Sequence, residues 1–137
     1  LKQKQLSLKL NCEQRYHIIA DATQLASAIE NIINNAIRYS PENSAIEILL
    51  TAENNKIILT ISDQGRGVPN NQLEQIFTPF YRTAQARDRV SGGTGLGLAI
   101  ASKAILAHNG KIFAQAASSN KEFPGLKVTI ELPYPST

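Results

Sequence analysis

The chain has 137 residues, of which 42% are hydrophobic and 18% charged, the size and composition of one globular domain. The net charge of +3 is modest and the lysines and arginines are scattered, which argues against nucleic acid as a partner. No apolar run approaches the roughly 20 residues that span a bilayer, and no signal peptide is visible. The single Cys12 excludes an internal disulfide. Because the chain contains no methionine, we expect that it is an excised piece of a longer protein.

Short β-type runs and two longer helical patterns alternate along the chain. The runs predict strands over residues 5–10, 16–20, 45–52, 56–62, 111–116 and 127–132. Helices are predicted from an N-cap at Asp21 to about Tyr39, over residues 71–76, and from Leu96 to about His108. The predicted fold class is an α/β (α+β) two-layer sandwich. We expect about five mostly antiparallel strands in a mixed sheet, packed on about three helices.

A glycine cluster, residues 92–97, runs directly into the last apolar helix. Glycines let the backbone approach a ligand, and the unpartnered amides of a first helical turn suit an anion such as phosphate. The P-loop pattern is absent, since Gly110-Lys111 is followed by Ile112, and the spacing is not the dinucleotide fingerprint. A flexible loop that caps a core helix remains the alternative interpretation.

The first long helix carries a polar stripe beside its apolar face. At about 100° per residue, Asn31, Asn35 and Arg38 fall within about 60° of one another, and Glu30 projects about 100° away from Asn31. Two amides and a guanidinium could hold the water shell of a metal and phosphate oxygens. A solvated helix face is the alternative.

An acidic turn follows the apolar strand at residues 57–61. In Asp63-Gln64-Gly65-Arg66-Gly67, a carboxylate at a strand end could accept hydrogen bonds from the exocyclic amine of a base. An ordinary turn is the alternative, because Asp and Gly are common turn residues.

Aromatic residues and a long polar loop come next. We expect Phe77 and Phe80 to pack, and residues 83–95 to form a lid over a ligand, because unstructured loops of this length in compact domains are usually functional.

In this order, the stretches resemble the boxes of the catalytic, ATP-binding domain of bacterial sensor histidine kinases. That domain belongs to the superfamily of gyrase, Hsp90 and MutL and has a Bergerat-type ATP-binding fold. Residues 31–40 resemble the N box, residues 63–67 the G1 box, residues 77–80 the F box and residues 93–98 the G2 box. The run from Pro79 to Gly95 is especially similar to the Cpx-type envelope-stress sensors.

The resemblance implies ATP and Mg²⁺ as cofactors and assigns roles to the first two boxes. Asp63 would read the adenine amine, while Gly65 and Gly67 shape the base pocket. Asn35 would ligate Mg²⁺, with Asn31 beside it.

The same resemblance assigns the remaining site residues. Arg38 and Tyr39 would contact phosphate and the rim of the nucleotide, and Arg82 is a candidate partner of the γ-phosphate. Phe80 of the F box would also contact the nucleotide. The amides of the G2 box would hold the phosphates, a set that comprises Thr94, Gly95, Leu96, Gly97 and Leu98. The predicted catalytic residues are Asn31, Arg38 and Arg82.

The implied activity is transfer of the γ-phosphoryl group to a histidine on a separate helical dimerisation and phosphoacceptor domain, for relay to a response regulator. Neither His17 nor His108 lies in an acceptor motif, so we expect that residues 1–137 form one catalytic domain without the acceptor and sensor domains. The parent would be a homodimeric bacterial inner-membrane protein whose kinase domain faces the cytoplasm. The alternatives are a hydrolytic ATPase of the gyrase kind, a serine kinase of the anti-sigma type, and a non-catalytic nucleotide-binding docking module.

Overall fold

The computed structural model describes residues 4–12, 14–81 and 96–134. Within these residues, one five-stranded sheet has the strand order β1-β2-β3-β5-β4. The strands are β1 (Ser7–Cys12), β2 (Ala45–Glu53), β3 (Lys56–Ser62), β4 (Lys111–Ala116) and β5 (Leu126–Pro133). β1 is parallel to β2, and the other neighbours are antiparallel. The predicted mixed, mostly antiparallel sheet is therefore confirmed.

Two α-helices are present in the described part of the chain, α1 (Ala22–Tyr39) and α2 (Gly97–Ala107). α1 begins as predicted, because the Asp21 carboxylate accepts a hydrogen bond from the Gln24 N–H at 3.0 Å. It ends where proline forbids continuation, at Ser40, whose N–H and hydroxyl both donate to the Ala36 carbonyl. Neither helix is long and apolar enough to cross a membrane.

The core lies between one face of the sheet and both helices. α1 contributes the buried residues Ala28, Ile32 and Ala36. α2 contributes Leu98, Ala101, Ala104 and Ile105. The sheet contributes alternate residues, among them Ile46, Ile48, Ile61, Val128 and Ile130. Burying alternate strand residues against one helical layer gives the two-layer sandwich that the sequence predicts.

The strand predicted over residues 16–20 is wrong. This segment alternates between exposed and half-buried residues, as a strand would, but it pairs with no strand and instead connects β1 to α1. Ile18 packs against the core, and the Tyr16 ring contacts the Tyr134 ring edge-on at 5.6 Å. The alternation of exposed and half-buried residues therefore comes from side-chain packing, without hydrogen bonding of residues 16–20 to a strand of the sheet.

β1 forms as predicted, but its leucines are not covered. Leu8 and Leu10 are paired in register with Ile46 and Ile48, which are buried on the helical face, yet they are 61% and 72% exposed. β1 is an edge strand, and the main strand contacts of the two α-helices are to β3 and to β4, the strand at the opposite edge. The alternation of leucines therefore predicted the strand and the face on which they lie. It did not predict that this part of the face is exposed.

The helix predicted over residues 71–76 is replaced by two successive 3₁₀ turns, Asn70–Gln72 and Gln75–Phe77. A segment this short gains little from α-helical hydrogen bonds, so the tighter turn is favoured. Phe77 packs against the core as expected. The expected packing of Phe80 is wrong, because its backbone has φ +65° in the turn before Tyr81 and its side chain is 72% exposed.

Candidate functional site

Asp63 is a buried carboxylate at the point where β3 ends. Its Oδ1 accepts hydrogen bonds from the Gly65 N–H at 2.9 Å and from the Leu126 N–H at 3.1 Å. The side chain is only 5% exposed. Burial raises the pKa of Asp63 above its ordinary value, and the two amide hydrogen bonds offset part of this rise.

The two oxygens of this carboxylate have different surroundings. Both hydrogen bonds that the described residues donate to Asp63 reach Oδ1. Neither of these bonds reaches Oδ2. The second oxygen of a carboxylate that is fixed in this way can accept a hydrogen bond from an amine of a ligand.

Two glycines allow the chain to close around Asp63. A Cβ at Gly65 would lie 2.5 Å from the Tyr39 carbonyl oxygen, so the turn packs on the end of α1. Gly125 has φ +72°, and a Cβ there would lie 2.0 Å from the Asp63 carbonyl oxygen. Only glycine accommodates such approaches to backbone atoms. The predicted residue Gly67 is in the same turn, with φ +74°, and packs against Pro124 and Gly125.

The predicted polar stripe on α1 is half-buried. Asn31, Asn35 and Arg38 are intermediate in exposure, whereas Glu30 and Asn34 on the same helix are exposed. Tyr39, also half-buried, follows at the carboxyl end. A rise of 1.5 Å per residue separates Asn31 from Tyr39 by about 12 Å along the axis.

The amino terminus of α2 lies against this stripe. A Cβ at Gly97 would be 3.5 Å from the Asn31 side-chain oxygen, which is ordinary contact. The Leu98 side chain is buried in the core, so only its backbone can face a ligand. Leu96 precedes the helix and is half-buried. α1 therefore contacts the acidic turn at its carboxyl end and the start of α2 at Asn31.

The remaining predicted site residues are Phe80, Arg82, Thr94 and Gly95. The Phe80 side chain points to solvent. Arg82, Thr94 and Gly95 lie outside the described residues.

The sequence analysis missed the segment between β4 and β5. Gly125 and Leu126 hold Asp63, and the Gly125 N–H donates to the Gly65 carbonyl at 2.9 Å. The Arg66 guanidinium lies 5.5 Å from the Phe123 ring centroid, at the distance of a cation–π contact. Pro124-Gly125 before a β-rich run could have indicated a turn at this point of the sequence. It could not have indicated that this turn contacts Asp63 and Gly65.

No group of three or more His, Cys, Asp or Glu side chains suited to a metal occurs in the described part of the chain. The amide oxygen of Asn35 is a group that could bind a divalent ion together with oxygens of a ligand. Mg²⁺ suits such a site, because it usually keeps several waters and binds through few protein groups together with phosphates.

The family model for the histidine kinase-, DNA gyrase B- and HSP90-like ATPases matches residues 20–136. The sensor histidine kinase CpxA of Escherichia coli K12 is 48% identical over 109 residues, covering 80% of this chain and 22% of CpxA. WalK of Bacillus subtilis is 38% identical over 120 residues, covering 86% of this chain and 19% of WalK. The chain thus spans about a fifth of the length of these relatives.

The solved structures that are similar include the mycobacterial sensor histidine kinase MprB. It superposes with a TM-score of 0.84 at 29% identity, covering 96% of this chain and 84% of that one. The nucleotide-free catalytic domain of histidine kinase ThkA superposes with a TM-score of 0.77 at 28% identity, covering 95% and 82%. The family model, the relatives and the fold agree: the chain belongs to the histidine kinase-, DNA gyrase B- and HSP90-like ATPase family, as a catalytic domain of the sensor histidine kinase type.

Proposed function

We propose that this domain binds Mg²⁺-ATP and transfers the γ-phosphoryl group to a histidine on a separate helical domain, for relay to a response regulator. The transfer would break the bond between the γ-phosphorus and the β–γ bridging oxygen, form a phosphorus–nitrogen bond to the acceptor imidazole and release ADP. The observation that carries the proposal is the buried Asp63 carboxylate at the end of β3, whose Oδ1 is fixed by two backbone N–H groups.

Asp63 supports recognition of adenine for a chemical reason. The exocyclic amine of adenine donates hydrogen bonds, whereas guanine presents a carbonyl oxygen at the equivalent ring position. An ionised carboxylate only accepts, so it discriminates against the guanine edge. Its orientation is set beforehand by Gly65 and Leu126, which reduces the cost of ordering on binding.

The residues along α1 fit the remainder of the nucleotide. Asn35 is the proposed Mg²⁺ ligand, and Arg38 and Tyr39 are the proposed contacts to phosphate and to the nucleotide rim. The backbone of Leu96, Gly97 and Leu98 at the start of α2 is proposed to bind phosphate, together with Thr94, Gly95 and Arg82. When bound, Mg²⁺ would neutralise phosphate charge, the principal requirement of phosphoryl transfer.

Asn31 supports transfer over hydrolysis. It lies on α1 against the amino terminus of α2, one turn before Asn35. An asparagine amide is a poor base and cannot activate water. The neighbouring Glu30 is a stronger base, but its side chain is exposed and projects about 100° away from Asn31. A site without a water-activating base retains the phosphoryl group for an acceptor.

The remaining partners follow from the same proposal. The acceptor histidine would lie on a helical dimerisation domain of the same protein, and the parent would be a homodimer in the bacterial inner membrane with this domain on the cytoplasmic side. These proposals rest on the similarity to sensor kinases of which this chain spans only part.

The test is a calorimetric titration of the 137-residue domain with ATP, ADP and GTP, with and without Mg²⁺, repeated on Asp63→Asn. We expect ATP and ADP to bind, GTP to bind at least about tenfold more weakly, and Asp63→Asn to lose at least about tenfold in ATP affinity. In the variant, an amide N–H₂ can face the adenine amine, donor against donor. Absence of ATP binding by the folded wild type would overturn the proposal.

A second measurement tests the reaction. Addition of a helical phosphoacceptor domain from a similar sensor kinase and γ-labelled ATP should give acid-labile phosphohistidine on that domain. Rapid release of inorganic phosphate by the domain alone would instead favour the hydrolytic ATPase.

A further inference from the structure

The ammonium group of Lys4 caps the carboxyl end of α1. Lys4 Nζ donates hydrogen bonds to the carbonyls of Ile37 at 3.2 Å, Arg38 at 2.8 Å and Ser40 at 2.9 Å. These carbonyls belong to the helix end, where acceptors lack intrahelical partners and the dipole is negative. All three N–H groups of the ammonium are therefore used on one helix terminus.

The backbone beside Lys4 is attached to the turn that follows α1. The Gln5 N–H donates to the Glu42 carboxylate at 2.9 Å, and the Gln5 carbonyl accepts from the Asn43 N–H at 2.8 Å. We call residues 4–6 the strap, because they cross the end of α1 before β1 begins. The strap is thus held by one side chain and by its main chain.

The helix end that the strap holds is also a wall of the nucleotide site. The Tyr39 carbonyl lies between those of Arg38 and Ser40. It packs so closely on Gly65 that a Cβ on Gly65 would not fit. Gly65 in turn donates to the Asp63 carboxylate. One turn of α1 is therefore fixed by Lys4 on one side and by the acidic turn on the other.

We propose that Lys4 is a positioning residue for the nucleotide pocket. By fixing the last turn of α1, it sets the position of Arg38 and Tyr39 relative to Asp63, so that displacement of the strap lowers nucleotide affinity. By thermodynamic linkage, a bound nucleotide stabilises the strap by the same free energy. The inference rests on the proposed function, since it concerns the affinity of the same site.

The experiment compares the wild type with Lys4→Met, Lys4→Arg and the control Lys103→Met. Lys103 is exposed on α2, and its replacement changes the net charge equally. ATP affinity is measured by calorimetry well below the unfolding temperature, and the unfolding midpoint is measured separately. We expect Lys4→Met to weaken ATP binding about two- to fivefold, the scale of a charge at a helix end. Lys4→Arg should restore affinity, and Lys103→Met should leave it unchanged.

A second readout follows the linkage without relying on affinity. The exchange rate of the Asn43 amide hydrogen, which bonds to Gln5 in the strap, is measured with and without ADP. We expect ADP to slow this exchange in the wild type and to slow it less in Lys4→Met. A merely structural cap would make exchange in Lys4→Met faster by the same factor with and without ADP.

The outcomes separate the two proposals. If the wild type binds ATP and Lys4→Met lowers only the unfolding midpoint, with unchanged affinity, the positioning role of Lys4 is wrong and the proposed function stands. If the folded wild type binds no adenine nucleotide, the proposed function is wrong and the role of Lys4 falls with it. Because Lys4 is exposed, we expect every variant to fold.

Discussion

Asp63 and Leu126 are 63 residues apart in sequence, and the Leu126 N–H donates to the Asp63 carboxylate at 3.1 Å. A second bond runs the other way, from the Asp63 N–H to the Leu126 carbonyl at 3.0 Å. The second bond extends the antiparallel pairing of β3 with β5 beyond the last ladder pair, Ser62 with Lys127, while the Leu126 N–H bonds to the Asp63 carboxylate where a ladder would use the carbonyl. The sheet itself therefore holds the carboxylate in place, because its position is an extension of the strand register.

The buried charge has a consequence for stability that Asp63→Asn exposes. The pKa of Asp63 is raised above 3.8 by burial, so the folded state binds more protons than the unfolded state between 3.8 and the raised value. The free energy of unfolding of the wild type should therefore fall as pH rises through this window and level off above it. Asp63→Asn has no carboxyl group that ionises at this position. Its free energy of unfolding relative to that of the wild type should therefore rise as pH rises through this window.

Urea unfolding of both proteins, at pH values from about 4 to 8, measures this difference. Glu30→Gln, at an exposed carboxylate, is measured over the same pH range for comparison. A difference that falls as pH rises would mean that the two amide hydrogen bonds outweigh burial and that the pKa of Asp63 is lowered instead.

Gly65→Ala tests the contact between the acidic turn and α1. The new Cβ would lie 2.5 Å from the Tyr39 carbonyl oxygen, and a backbone atom at a helix end cannot move cheaply. We expect a loss of about 1–3 kcal/mol in the free energy of unfolding, the scale of overpacking, and weaker ATP binding. Urea unfolding and calorimetry measure the two effects.

Gly97→Ala is the matched comparison. Its Cβ would be 3.5 Å from the Asn31 side chain, an ordinary distance, and at the first residue of α2 alanine is favoured by less than the about 1 kcal/mol of a helix interior. We expect this variant to be as stable as the wild type or more so, while a methyl group at the start of α2 weakens nucleotide binding. Equal destabilisation by both substitutions would contradict the close packing assigned to Gly65.

His108 joins the ends of the two helices. Its Nε2 accepts from the Asp21 N–H at 2.9 Å, which places the proton on Nδ1, and Nδ1 donates to the Ala104 carbonyl at 2.8 Å. His108→Ala removes both of these hydrogen bonds and should lower the free energy of unfolding by about 1–2 kcal/mol. Urea unfolding measures this, with His17→Ala, an exposed histidine, as control. Equal stability of both variants would show that the bridge contributes nothing.

Features with local causes were predictable from the sequence. The limits of α1 follow from a capping side chain at Asp21 and from Pro41, each within a few residues of the helix end. The bounds of β3 and β4 match the predicted runs because their β-rich residues are bordered by turn residues. The grouping of the polar stripe beside the apolar face of α1 followed from helical periodicity, whereas its half-burial did not.

Features set by distant partners were not predictable. Residues 16–20 have the pattern of a strand, but pairing depends on a neighbour that local sequence does not specify. Leu8 and Leu10 are exposed because the helical layer does not cover β1. The role of Gly125 depends on the register of β5 against β3, and that of Lys4 on contacts more than 30 residues away.

Asn31→Glu tests whether the site lacks only a base for hydrolysis. Asn31 is half-buried beside the start of α2, where the phosphates are proposed to bind, so a carboxylate there could activate water. We expect the rate of ATP hydrolysis by the isolated domain to rise at least about tenfold. This is less than the about hundredfold or more that a well-placed general base contributes to a reaction rate. Phosphate release at saturating ATP, corrected for affinity, measures it.

Asn34→Glu is the matched control, because it adds the same charge to the same helix at an exposed position. It should leave the hydrolysis rate unchanged, while the transfer rate to an added acceptor domain should fall in Asn31→Glu as water competes for the phosphoryl group. If both variants hydrolyse ATP equally, Asn31 does not face the phosphate. If the wild type already hydrolyses ATP rapidly, a base resides elsewhere and the preference for transfer over hydrolysis is wrong.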